Sequence, residues 1–221
     1  MKEFGKALKL YLKVTLNPIT AAFGLMLMAM LLVAASLSPE TPDSEDYMSM
    51  IGTVGFGQLG VVALFIMGIS SSRYKYFASL PFAKTLFTVV PTVCAAAAAL
   101  IYDNIAITVA AFCWCEQGLS DLLVIAPFNS FIICLSIACI GKPKLNILYF
   151  IPILIMATEH IVLPNISFTA HGFGLPVLTS AVIGALVFIA GVVLTLVIMN
   201  VWWKKCDHIY CGYYKISGQP D

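Results

Sequence analysis

Residues Ser70 to Lys84 read S-S-S-R-Y-K-Y-F-A-S-L-P-F-A-K, a short basic and aromatic segment between two long apolar runs. The hydroxyl of Ser71 or Ser72 can cap the start of a helix, and Pro81 prevents the helix from continuing. The pattern therefore predicts a helix of about two turns at the edge of the apolar runs. Four of its side chains share one face: Arg73, Tyr76, Phe77 and Leu80.

The composition around this segment is that of a membrane protein. The 221 residues are 61% hydrophobic and only 10% charged, whereas soluble domains average about 45–50% and about 25%. So little charge could not cover the surface of a water-soluble fold. The apolar residues also come in blocks of about 20, the length that a helix needs to cross a bilayer core of about 30 Å. The sequence therefore predicts an all-α, polytopic membrane protein.

Six membrane-spanning helices are predicted from the apolar blocks, and they form one transmembrane domain over residues 18–203. Their approximate bounds are residues 19–37, 50–69, 82–102, 122–140, 145–163 and 181–203. Two of the apolar runs are too long for one crossing. We expect residues 103–115 to be tilted, protruding or irregular. Residues 175–180 are expected to dip into the outer leaflet, as irregular backbone covered by protein or water.

An interfacial helix is predicted at residues 1–17. Its lysines Lys2, Lys6, Lys9 and Lys13 recur at helical spacing on one face. Apolar side chains occupy another face, so the helix is expected to lie in the membrane interface with the lysines toward anionic headgroups. Asn17-Pro18 ends it, because proline disfavours the α conformation of the preceding residue.

The charges predict the orientation of the chain in the membrane. With six crossings and a cytosolic N-terminus, all 12 Lys and Arg residues fall on the cytosolic side, as the positive-inside rule requires. The outer loops hold only acids: Glu40, Asp43, Glu45, Asp46, Glu116 and Asp121. We therefore predict a multi-pass cell-membrane protein with a cytosolic N-terminus and a cytosolic tail at residues 204–221.

Several chemistries are disfavoured by missing motifs. The chain has no G-x-x-x-x-G-K-[ST] phosphate loop and no H-E-x-x-H zinc motif. It has no continuous basic face for nucleic acid. The seven cysteines lie mostly in apolar runs and are expected to be packing residues. Cys206, His208 and Cys211 in the tail could form at most half a zinc site.

Four ionisable residues are predicted near the outer membrane edge: Asp103, Glu159, His160 and His171. An intramembrane charge is a functional hypothesis because its burial is costly. Three interpretations remain open. The side chains can simply reach water at the helix ends, they can form the polar lining of an outer gate, or they can carry out catalysis.

The chain resembles the permease subunits of ABC-2-type exporters. The resemblance rests on the lysine-rich helix ahead of the first span, on Ser79-Leu80-Pro81 followed by Lys84, and on the six-span plan with a tight basic turn at Gly141–Lys144. It implies that residues 72–81 form a coupling helix, which docks on a separate cytosolic ATPase subunit that binds ATP and Mg²⁺. The docking residues would be Arg73, Tyr74, Lys75, Tyr76, Phe77, Ser79, Leu80 and Pro81.

The resemblance also implies that two permeases pair in the lipid membrane, and that the assembly exports amphipathic or hydrophobic peptides such as bacteriocins or toxins. The chain itself is then not an enzyme and holds no cofactor. On composition alone, residues 70–84 could instead be an interfacial belt of tyrosine anchors and snorkelling cations. Two other functions remain open. One is an intramembrane enzyme that uses Asp103, Glu159 and His160, and the other is a non-catalytic membrane partner such as an immunity protein.

Overall fold

The computed structural model describes residues 2–15, 18–37, 54, 57–58, 60–61, 80–140 and 173–205. Within these residues the chain is helical apart from short connections, and no strand occurs. Six helices are bounded there: α1 (Lys2–Thr15), α2 (Pro18–Leu37), α3 (Ala83–Phe87), α4 (Val89–Cys113), α5 (Glu116–Ile140) and α6 (Val177–Lys205). The predicted all-α class is confirmed for this part of the chain.

Three helical stretches in the described residues are long and apolar enough to cross a membrane, namely Ala83–Cys113, Glu116–Ser136 and Val177–Val201. They correspond to the predicted third, fourth and sixth spans. A shorter apolar helix, Ala21–Met30, lies in the predicted first span. The fold is thus that of an all-α membrane protein, while the count of six spans stays a prediction. The predicted fifth span lies outside the described residues.

Helix α1 forms where the lysine periodicity predicts it. Lys6, Lys9 and Lys13 are exposed, as expected for the polar face. The opposite face differs from the prediction, because it packs against protein. Tyr11 is only 2% exposed, in the same core cluster as α3 and the start of α4. The placement of α1 in a membrane interface stays a prediction.

Helix α4 is longer than the sequence predicts. The third span was expected to end near Tyr102, but the helix continues without interruption to Cys113. No proline or glycine follows Tyr102 within this stretch, so nothing in the local sequence stops the helix. The polar residue that suggested a boundary, Asp103, is 5% exposed and lies inside the bundle. Its carboxylate has partners there, so the helix does not need to end in water.

The starts of α5 and α6 also differ from the predicted ones. Helix α5 begins at Glu116, because an acid in the first turn is favourable at a helix N-terminus. Helix α6 begins at Val177, and only residues 173–176 are extended. The expected irregular segment at residues 175–180 is therefore wrong from Val177 onward.

The directions of the long helices follow from contacts at their ends. Phe87 stacks on Trp203 with ring centroids 6.4 Å apart, so the start of α4 and the end of α6 share one end of the bundle. At the other end the hydroxyl oxygens of Ser120 and Ser180 lie 2.8 Å apart. Helices α5 and α6 are therefore parallel to each other and antiparallel to α4. The end of α5 and the start of α6 lie at opposite ends, as expected if one crossing separates them.

Two glycines let α6 approach α5 closely. A Cβ atom on Gly184 would lie 3.0 Å from Pro127 Cγ and closer still to the carbonyl oxygen of Leu123. A Cβ atom on Gly191 would lie 2.8 Å from the Cα atom of Phe131. Small residues at such contacts bring helix backbones together, which is how membrane helices gain packing energy.

Gly184→Ala is expected to lower the free energy of unfolding by about 1–3 kcal/mol, because the added methyl group meets backbone that cannot move aside cheaply. Gly5→Ala is the matched control, since no atom lies within 4 Å of the position of its Cβ. In that helix the substitution should stabilise by about 1 kcal/mol. Thermal unfolding in detergent measures both, and equal midpoints for the two variants would contradict the packing.

Candidate functional site

A carboxylate lies inside the apolar bundle, past the midpoint of α4. The residue is Asp103, and it follows the equally buried Tyr102. The predicted interpretation in which Asp103 reaches water at the outer end of its helix is wrong, because only 5% of the residue is exposed. Charged groups at membrane depth are costly and usually face the interior of a bundle, which is where Asp103 lies.

Both oxygens of this carboxylate accept hydrogen bonds. The Nε2 atom of Gln58 donates to Asp103 Oδ1 at 2.6 Å, and the Oγ atom of Ser130 donates to Asp103 Oδ2 at 2.7 Å. The same Nε2 atom lies 2.9 Å from the carbonyl oxygen of Ala126 and 3.2 Å from Ser130 Oγ. Gln58, Asp103 and Ser130 form a polar cluster that joins three separate segments of the chain.

A tyrosine and a glycine fix the relative position of the residues in this cluster. The hydroxyl group of Tyr102 donates to the carbonyl oxygen of Val54 at 3.0 Å. Gly57 leaves room for that hydroxyl, since a Cβ atom there would collide with it. Gln58 follows directly, as Asp103 follows Tyr102 on α4. The contact between Gly57 and Tyr102 thus holds the amide of Gln58 opposite the carboxylate of Asp103.

The electrostatics of the cluster are unusual, because its donors are neutral. Among the residues that the structure describes, no Lys, Arg or His forms an ion pair with Asp103. A neutral amide and a hydroxyl offset only part of the cost of burying an ionised carboxylate. The cluster is therefore an energetically sensitive position, at which a cationic group or a change in helix packing would have a large effect.

Further polar atoms near the middle of the bundle lack partners. Gln58 Oε1, both amide atoms of Asn129, and Thr195 Oγ1 make no hydrogen bond within the described part of the chain. All three residues are 0% exposed. A buried polar atom without a partner costs about 1–3 kcal/mol. Of these atoms, Gln58 Oε1 belongs to the side chain that contacts Asp103, and a polar group that enters there would give it a partner.

A second set of hydrogen bonds lies at the Glu116 end of the bundle. Asp121 Oδ1 accepts from the backbone N–H of Phe173 at 2.9 Å. Ser120 Oγ donates to the carbonyl oxygen of Leu175 at 2.7 Å. These contacts fix the extended residues 173–176 on the first turns of α5. They hold the entry of α6 in place, so we interpret them as structural.

The other predicted site residues are only partly visible. Leu80 and Pro81 form the turn that precedes α3, with Leu80 half-buried and Pro81 exposed. The remaining residues of the predicted coupling helix and outer gate lie outside the described residues: Arg73, Tyr74, Lys75, Tyr76, Phe77, Ser79, Glu159 and His160. Of the three predicted outer-gate residues, only Asp103 is therefore placed.

Sequence reasoning missed the partners of Asp103. Gln58 stands alone as an amide in a glycine-rich apolar run, and Asn129-Ser130 interrupts the middle of the fourth predicted span. Each is a polar side chain at a depth where one is costly, so the signal was present. It could have been found by counting uncharged polar residues inside the spans as well as charged ones.

The fold and the site together define an all-α membrane bundle. Its membrane-length helices surround a buried carboxylate whose hydrogen-bond donors are neutral. No protein-family model, curated protein or solved structure matches the chain. Among the described residues, no group of three or more His, Cys, Asp or Glu side chains comes together in a way that could hold a metal ion.

Proposed function

We propose that the chain is the transmembrane permease subunit of an ATP-driven exporter and works with a separate ATPase subunit. The observation that carries the proposal is the buried Asp103 cluster inside an apolar helix bundle. Ionisable residues within membrane helices mark substrate and ion pathways more often than they serve packing. The ATP-driven part rests on the resemblance to ABC-2-type permeases and on the lack of a phosphate loop in the chain.

The geometry favours transport over intramembrane catalysis. Both carboxylate oxygens of Asp103 are engaged by donors on other segments, so the group is held rather than presented to a substrate. The cluster joins Gln58, α4 and α5, and relative movement of these segments must break its hydrogen bonds. A polar contact that breaks and re-forms between helices is the kind of two-state element that alternating access uses.

The position of α3 and α4 supports a mechanical link to the cytosolic side. The turn at Leu80 and Pro81 leads into α3, and α3 leads into α4 after Thr88. A docking helix that ends before this turn would therefore be connected to the helix that carries Asp103 through the turn and the five-residue helix α3. ATP-driven closure of the partner would move the docking helix, tilt α4 and open the Asp103 cluster.

We further propose that two such permeases pair and that the substrate is an amphipathic or hydrophobic peptide. The exposed side chains of α2 and α6 are almost all apolar, and they include Phe23, Met26, Met30, Leu186 and Ile189. Such surfaces can face lipid, a second permease or an apolar substrate. A positively charged group on the peptide would find its counter-ion in Asp103.

The proposal is tested by purifying the tagged chain from its native membranes in mild detergent. We expect an ATPase subunit without membrane segments to co-purify, and Tyr76→Ala with Phe77→Ala to reduce its recovery about tenfold or more, because aromatic anchors dominate such interfaces. Tyr213→Ala with Tyr214→Ala, in the predicted cytosolic tail, is the matched control and should leave recovery unchanged.

Two outcomes would count against this function. If wild-type protein never retains an ATPase, even after cross-linking in the membrane, the ATP-driven part is wrong. If the chain alone protects cells from a peptide toxin and needs no ATPase, the non-catalytic immunity function replaces it. Equal recovery of the ATPase by the docking variant and the tail variant would remove residues 72–81 from the interface.

A further inference from the structure

A cleft opens on the bundle surface where α1 packs beside the turn that precedes α3. Its volume is about 380 Å³, and it lies at the end of the bundle that holds Phe87 and Trp203. Three lysines and three apolar side chains line it: Lys6, Lys9, Lys13, Leu10, Leu80 and Phe82. We call it the lysine cleft.

The positive charge of the lysine cleft is not compensated from within. Lys6, Lys9 and Lys13 are exposed and lie on one face of α1. No ion pair joins them to a carboxylate in the described residues. The acid in this helix, Glu3, lies three residues before Lys6 and can offset part of one charge, so the three lysines keep a net positive charge. Like charges three and four residues apart on a helix repel each other, so an anion in the cleft would relieve a repulsion that the chain leaves in place.

The rest of the lining is apolar and firmly placed. Leu10, Leu80 and Phe82 are half-buried and pack against the hydrophobic core. A small inorganic anion would contact the lysines and leave these side chains unused. The lining therefore suits a ligand with an anionic head and an apolar body, which is the chemistry of an anionic phospholipid.

The location of the cleft agrees with this chemistry. Helix α4 begins and helix α6 ends at this level, and both belong to stretches of membrane-spanning length. A boundary between headgroups and acyl chains is expected at the ends of such helices. There, clustered lysines attract anionic lipid headgroups. A lipid can bind there whether or not an ATPase docks on the chain.

We propose that the lysine cleft binds one anionic phospholipid. Its phosphate lies among Lys6, Lys9 and Lys13, and an acyl chain follows Leu10 and Phe82 toward the core. The bound lipid bridges α1 to the turn at Leu80, since both elements line the cleft. The lipid composition of the membrane would then affect the position of the turn at Leu80.

The test is native mass spectrometry of the full chain, purified in detergent and supplied with phosphatidylglycerol or phosphatidylcholine. We expect one phosphatidylglycerol to be retained in preference to phosphatidylcholine. Each single change Lys6→Gln, Lys9→Gln or Lys13→Gln should weaken retention about fivefold, and the triple variant about a hundredfold, from the contribution of one lysine to anionic-lipid binding. Lys84→Gln removes an exposed lysine from α3, outside the cleft, and should change nothing.

Further measurements distinguish a bound lipid from other occupants of the cleft. Phe82→Leu shortens the apolar wall but still packs against the core, so it should weaken phosphatidylglycerol retention while the thermal midpoint stays within a few degrees of wild type. Glycerol phosphate or inorganic phosphate at the same concentration should not displace the lipid. The proposal is overturned if phosphatidylcholine is retained equally, if Lys84→Gln matches the cleft variants, or if free phosphate displaces the lipid. It is also overturned if the lysine changes instead release an acidic protein and leave lipid retention unchanged.

Discussion

Gln58→Leu is expected to lower the midpoint of thermal unfolding by about 5–10 °C, the largest stability effect that we predict for a single substitution. The leucine removes the donor 2.6 Å from Asp103 Oδ1 and leaves that oxygen in apolar surroundings. Breaking a buried polar pair at a charged group costs about 2–4 kcal/mol. For a chain of this size, each kcal/mol shifts the midpoint by about 2–4 °C.

The double variant Gln58→Leu with Asp103→Leu should recover much of that loss. Replacing both partners of a buried hydrogen bond by apolar groups is far less costly than removing one. The hydroxyl of Ser130 also keeps a partner in the double variant, since the carbonyl oxygen of Ala126 lies one helical turn before it and is no longer approached by Gln58. The two substitutions should therefore be strongly non-additive.

Thermal unfolding of all three variants in one detergent measures this coupling. Asn104→Leu is the matched control, because Asn104 is exposed next to Asp103 and, among the described residues, its side chain bonds within its own helix, to the carbonyl oxygen of Leu100. That substitution should shift the midpoint by less than about 2 °C. If the double variant is as unstable as the sum of its single variants, Gln58 and Asp103 do not form the cluster described here.

The helices themselves were readily predicted, because their signals are local. Apolar blocks of span length indicated α4, α5 and α6, and the lysine spacing together with Asn17-Pro18 indicated α1. Each of these patterns is contained in a few turns of chain. Helix formation depends on just such short-range features, since its backbone hydrogen bonds connect neighbouring turns.

The C-terminal end of α4 and one of the three interpretations of Asp103 were wrong for a physical reason. That interpretation took a lone carboxylate after an apolar block as a contact with water at the helix end. Its donors come from residues 45 and 27 positions away in the sequence, Gln58 and Ser130. A periodic pattern does not reveal such long-range pairings, so the burial of the charge could be known only once the helices were packed.

The sequence pattern also did not show which helices pack against each other. A Cβ atom on Gly57 would meet Tyr102, and one on Gly60 would meet Met28, so both glycines lie at close-packed positions. Gly184 and Gly191, seven residues apart on α6, lie at close-packed positions as well. Even so, small residues show that a face is packed and leave open which helix packs on it.

Asp103→Asn is expected to abolish export while the protein still folds and assembles. The asparagine has nearly the same shape, and its Oδ1 atom can still accept a hydrogen bond from Gln58 or Ser130, so the cluster persists without its negative charge. If the proposed transport function holds, ATP-dependent peptide accumulation in inverted membrane vesicles should fall about a hundredfold, because the loss of one partner of a buried charge pair costs about 2–5 kcal/mol.

The control for this variant is Asp121→Asn at the Glu116 end of the bundle. Its amide oxygen can still accept from the backbone N–H of Phe173, so the entry of α6 should stay in place and transport should continue. Co-purification of the ATPase should be equal for both variants, which separates loss of the pathway from loss of assembly. If Asp103→Asn transports at the wild-type rate, the buried charge serves the packing of α4 and α5 alone, and the peptide pathway must lie elsewhere in the bundle.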